Sequence, residues 1–109
     1  MTGALAVLST VGTPEDAERI ARDLVERGLA ACVSVVAGVT SFYRWEGRVQ
    51  RDEERLLVIK TRAESFEALR EALVAIHPYE VPEVIALPIE GGHPPYLEWL
   101  ARSVRAEPS

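Results

Sequence analysis

AACVSVVAGVTSFYRWEGRVQRDEERLLVIKT, Ala30 to Thr61, decides the fold of this chain. β-Branched and aromatic residues carry the segment to Trp45, Glu46-Gly47 supplies a tight turn, and Arg48 to Thr61 returns, so it reads as one long antiparallel hairpin. Gly38 marks a bulge or bend in the outgoing strand. About fourteen extended residues at roughly 3.3 Å each span about 45 Å. A globule of about 100 residues has a radius of gyration near 13 Å, so the hairpin should overhang its own domain. A projecting ribbon that exposes Phe42, Tyr43 and Trp45 invites association unless another chain covers it, which predicts an oligomer.

Outward from the hairpin, the flanks supply two strands and three helices. Ala4 to Thr10 is a short apolar run that reads as a buried strand. Thr13 then caps a helix with Pro14 at its first position, Glu15 and Asp16 in the first turn, and an apolar stripe of Ala17, Ile20, Ala21, Leu24 and Val25 that ends at Gly28. Ser65 is the expected cap of a second helix with the stripe Phe66, Leu69, Leu73 and Ile76, closed by His77. Val84 to Glu90 reads as a fourth strand, and Tyr96, Leu97, Leu100 and Val104 as a short final helix. The order β-α-β-β-α-β plus a helix predicts an α+β, ferredoxin-like split βαβ sandwich, a single domain over residues 1–109 with a long projecting β-hairpin and a C-terminal helix.

Composition narrows the function classes. Seventeen acidic against twelve basic residues give a formal charge of −5, and the basic residues are scattered, so nucleic acid is not an expected partner. No apolar stretch approaches the roughly 20 residues of a membrane span and the N-terminus carries no leader pattern, which predicts a cytoplasmic protein. One cysteine, Cys32, allows no internal disulfide. Asparagine is absent, Gln50 is the single glutamine and charged residues are plentiful, a bias that suits a thermostable protein. Lys60 is the only lysine beside eleven arginines.

The densest chemistry lies in His77-Pro78-Tyr79-Glu80-Val81-Pro82-Glu83, where two prolines stiffen the backbone and force the residues before them out of the helical region. His77 either closes a helix and nothing more, or joins Glu80 and Glu83 as a ligand set suited to zinc or copper(II). Cys32 follows two alanines in a strand, where a cysteine serves as a small buried hydrophobe or as a metal ligand. Tyr43 and Trp45 share one face of the hairpin with Arg44 on the other, as interface anchors or as the wall of a ligand cleft. The run Asp52-Glu53-Glu54 reads as a solvated face, and His93 as a loop histidine. There is no nucleophile beside an evident base, no phosphate-binding glycine loop and no metal motif with an open position, so the chain reads as not an enzyme.

Four segments together, Ala30-Ala31-Cys32-Val33, Ser41 to Arg48 (SFYRWEGR), Leu57-Val58-Ile59-Lys60-Thr61 and the HPYEVPE block, resemble the CutA family of divalent-cation tolerance proteins in order and spacing, from about Val7 to Leu100. The resemblance implies a homotrimer whose hairpins pack on neighbouring subunits. It also implies binding of copper(II) or another divalent metal, with Cys32 carried over as a ligand position beside His77, Glu80 and Glu83. A likeness to the trimeric PII-like signalling proteins implies an alternative: a regulatory or scaffolding trimer with an effector cleft of Tyr43, Trp45, Lys60 and Tyr79 holding a small anionic ligand. The chain departs from the usual family pattern at Ser34, where asparagine is common, and at Arg48, where lysine is common.

Overall fold

The computed structural model describes residues 2–105. Strand β1 (Ala4–Val11), helix α1 (Pro14–Glu26), the hairpin strands β2 (Cys32–Trp45) and β3 (Arg48–Arg62), helix α2 (Phe66–Ile76), strand β4 (Ile85–Pro88) and helix α3 (Pro94–Ser103) follow in that order. They build one antiparallel sheet ordered β2-β3-β1-β4, the ferredoxin-like arrangement that the element order predicts. The chain folds over 44 × 28 × 22 Å, its long dimension matching the length expected of the hairpin.

The punctuation works as the sequence implies. Thr13 accepts the Asp16 amide at 3.1 Å, and Pro14 fills the position whose amide would have no partner. Gly28 takes φ 75 just beyond α1, the left-handed conformation that ends a helix. In the hairpin, Ala37 and Gly38 together stand opposite Arg55, because the register passes from Val36↔Leu56 to Val39↔Glu54. Glu46 and Gly47 adopt φ 51 and 78, a mirror-image turn whose twist matches the strands it joins.

Two expectations are corrected. Ser65 holds the N-cap position of α2 at the end of a short 3-10 turn (Ala63–Ser65), but its hydroxyl makes no cap bond and instead donates to the Arg105 carbonyl at 3.2 Å, tying the C-terminal segment to the start of α2. The fourth strand covers only Ile85–Pro88 rather than Val84 to Glu90, paired with Leu5 to Leu8 of β1.

Strand periodicity divides the sheet into two unlike faces. Val7, Val11, Leu57 and Ile59 turn toward α1 and α2 and bury against Ile20, Leu24, Leu69 and Leu73 to form the core. On the opposite face, the register aligns Val36, Leu56 and Thr10 in one row, Ser34, Val58, Leu8 and Ile85 in the next, and Cys32, Lys60, Ala6 and Leu87 in a third. α3 packs Leu97, Leu100 and Val104 against Ala4 and Ala31 at one end of the molecule. The remainder of the open face keeps Val36, Ile85 and Leu87 exposed.

Candidate functional site

The bulge at Ala37-Gly38 decides which hairpin residues share the open face. Beyond it, Val39, Ser41, Tyr43 and Trp45 stand opposite Glu54, Asp52, Gln50 and Arg48, and all of these continue the open face of β3. Opposite the outer half of the hairpin, the chain leaves α2 at His77, whose ψ of 138 is the extended value that the following Pro78 requires, and bends through residues 78–81. Between the two lies a cleft of about 620 Å³ walled by Tyr43, Trp45, Tyr79, Asp52, Glu54 and Glu80, with Glu83 at its edge.

Hydrogen bonds fix the walls. The Tyr79 hydroxyl donates to Glu54 at 2.6 Å, and the Tyr43 hydroxyl donates to Asp52. Burial and then the neighbouring Glu54 carboxylate push the Tyr79 phenol well above its ordinary range. The hydrogen bond to Asp52 raises the Tyr43 phenol as well. Glu54 is only 6% exposed, although it belongs to the acidic run expected to be solvated. The strand parity it shares with Leu56 and Val58 places it on the open face, where Tyr79 covers it.

His77 is buried beside the cleft with both ring nitrogens engaged. Nδ1 accepts the Tyr79 amide at 3.1 Å, which puts the ring proton on Nε2, and Nε2 donates to the Thr10 carbonyl at 2.9 Å. Burial holds the imidazole below its ordinary pKa, against the opposing pull of the Thr10 carbonyl and Asp16. Neither nitrogen is free for a metal.

The structure therefore separates residues that the sequence grouped. Among the described residues, no three His, Cys, Asp or Glu side chains come together as a metal cluster, so Cys32, His77, Glu80 and Glu83 do not converge within one chain. Cys32 lies in the far row of the open face, 3.6 Å from the Tyr96 hydroxyl and 3.9 Å from the Lys60 ammonium. Lys60 is six strand residues from Glu54, about 20 Å, so it is not part of its own chain's Tyr43, Trp45 and Tyr79 cleft. Tyr43, Trp45 and Tyr79 do share that cleft, and it is lined by carboxylates rather than by a cation. His93 sits at the N-terminal boundary of α3 without a side-chain cap bond.

Fold and site define a split βαβ domain with an overhanging hairpin and an acidic, aromatic cleft along the hairpin's outer half. The model of the CutA1 divalent ion tolerance protein family matches residues 5–103, and the chain belongs to that family. The divalent-cation tolerance protein CutA of Thermus thermophilus is 53% identical over 94 residues, covering 86% of this chain and 91% of that protein. The chloroplastic CutA 1 of Oryza sativa is 51% identical over 94% of this chain, which spans only 58% of that longer relative. The solved Thermus thermophilus structure superposes with a TM-score of 0.91 at 49% identity over 94% of this chain and 99% of that one. The Oryza sativa CutA1 crystal structure gives 0.93 at 49% identity over 98% and 100%. Among the described residues no helix is long and apolar enough to cross a membrane.

Proposed function

We propose that this chain acts as a non-enzymatic homotrimer that binds a divalent metal between subunits and thereby contributes to metal-ion tolerance. Membership of a family named for divalent ion tolerance supports the metal, and a relative bearing that name is 53% identical to this chain over 94 residues. The observation that carries the reading is the uncovered apolar sheet face on which Cys32 lies. Turning three such faces inward removes Val36, Ile85 and Leu87 from water and brings the Cys32 thiols of different chains into one interior. Glu80 and Glu83, exposed in the single chain, supply oxygen ligands at a subunit boundary, while His77 stays with Thr10 and Tyr79. A thiolate ligand favours copper or zinc over hard cations, and copper(II), the tighter-binding of the two, is the metal of this proposal. Cytoplasmic residence belongs to the same reading, since a reducing compartment keeps the thiol free.

Native mass spectrometry of protein purified without chelator, before and after one equivalent of copper(II), tests this. A trimer that retains copper, and loses it in Cys32→Ala combined with Glu80→Ala and Glu83→Ala, is expected. A monomer, or copper retention unchanged by the triple substitution, overturns the proposal.

A further inference from the structure

Two features of the cleft along the hairpin are not used by the metal reading: its aromatic walls and the buried Glu54 carboxylate, which has no ion-pair partner among the described residues. Glu54 is more than nine-tenths buried and faces the cleft, yet its recorded partner is a neutral phenol. No ion pair among the described residues involves Glu54, Asp52, Glu80 or Glu83, whereas neighbouring Glu53 is paired with Arg51 at 3.1 Å. A buried carboxylate without a counter-charge is costly unless a cation arrives to complete it.

The shape of the site selects the kind of cation. A bare metal ion needs several oxygens converging within about 2.6 Å of one point, and the described residues form no such group. The carboxylates are instead spread along a cleft of about 620 Å³, within the range of small-molecule pockets. Tyr43, Trp45 and Tyr79 place aromatic rings between them, surfaces that attract ammonium groups and pack on methylene chains. A small anion, the ligand expected of a cleft containing Lys60, meets the wrong sign of charge here.

We infer that the cleft between the outer half of the hairpin and the Tyr79-Glu83 segment binds a linear aliphatic polyamine, its separated ammonium groups meeting Glu54 and the Asp52 or Glu80 side while its methylenes lie along Tyr43, Trp45 and Tyr79. The length of such a ligand matches carboxylates that are too dispersed for a point charge. This inference shares Glu80 with the metal proposal, and Cys32, in a different row of the open face, distinguishes the two.

Calorimetric titration of the full chain with spermidine, alongside magnesium chloride at matched ionic strength, tests it. Saturable spermidine binding is expected, at least about tenfold tighter than magnesium, and weakened about tenfold in Trp45→Ala and more in Glu54→Gln. Trp45 is exposed, so its variant remains informative if Glu54→Gln folds poorly. No saturable spermidine binding, magnesium binding equally well, or an affinity unchanged in Trp45→Ala overturns the inference. Copper retention by Cys32 in the same preparation reports on the metal proposal independently.

Discussion

His77 donates from Nε2 to the Thr10 carbonyl at 2.9 Å, and so pins the segment that follows α2 to the end of β1. The same ring accepts the Tyr79 amide through Nδ1, an interaction that only the neutral imidazole can make. Asp16 and Arg19 of α1 and Glu54 of β3 are the charged groups that act on it. Because burial depresses the folded-state pKa, the unfolded chain takes up a proton before the folded one does. The His77 contribution to stability is therefore complete above about pH 6.5, is lost progressively as pH falls below that value, and levels off below the depressed folded-state pKa. Urea unfolding of the wild type and His77→Gln between pH 7.5 and 5 should show a decline in the wild type that the variant flattens. Asp16, held low chiefly by Arg19, loses its contribution only in a separate, more acidic window.

Gly28→Ala should destabilise the fold for two reasons. Its φ of 75 is left-handed, and a Cβ there would lie 2.7 Å from Cγ and Cδ of Arg105. A loss of about 1–3 kcal/mol is expected from thermal or urea unfolding. Adding Arg105→Ala should recover the steric part and leave the backbone part.

Much of this architecture was legible because local chemistry and global topology agree. Thr13-Pro14, Gly28, Gly38 and Glu46-Gly47 each announce a cap, a bulge or a turn, and each is found there. The site was less legible, because sequence spacing does not give direction. His77, Glu80 and Glu83 are close in the chain, but the proline-stiffened backbone turns the imidazole inward and strings the carboxylates along a cleft rim. Lys60 shares a sheet face with Glu54 by parity, yet the length of β3 holds them apart. Ser65 resembles a helix cap in sequence, but the preceding 3-10 turn gives its hydroxyl a different acceptor.

Ser9 occupies the helix-covered face of β1, is fully buried, and its hydroxyl has no hydrogen-bond partner among the described residues. The cost of dehydrating that hydroxyl is not repaid by any bond. Ser9→Ala should leave the fold intact and raise stability by up to about 1 kcal/mol, read from the urea midpoint at unchanged m-value. A loss above that size would show that the hydroxyl is satisfied.

The hairpin turn keeps a side chain where its geometry disfavours one. Glu46 adopts φ 51 ahead of Gly47, and Asn-Gly is the better pair for this turn type. Glu46→Asn should stabilise by about 0.5–1 kcal/mol. Protection of the β2 and β3 amides nearest the turn, measured by hydrogen exchange, should rise with it.

Ile85 and Leu87 distinguish a free sheet face from a subunit interface. Both are 48% exposed in the single chain, so an arginine at either position would cost a monomer little, within about 0.5 kcal/mol as at other surface sites. In an assembly that turns these faces inward, the same arginine is a buried charge without a partner, costing several kcal/mol in each chain. Ile85→Arg/Leu87→Arg should therefore sediment as a monomer with unchanged far-ultraviolet circular dichroism, while the parent chain sediments as a trimer. The melting temperature of the parent should rise with protein concentration, and that of the variant should not, because only the parent couples folding to association. A variant that still sediments as a trimer would place the interface elsewhere, with the hairpin aromatics Phe42 and Trp45 as the next surface to charge.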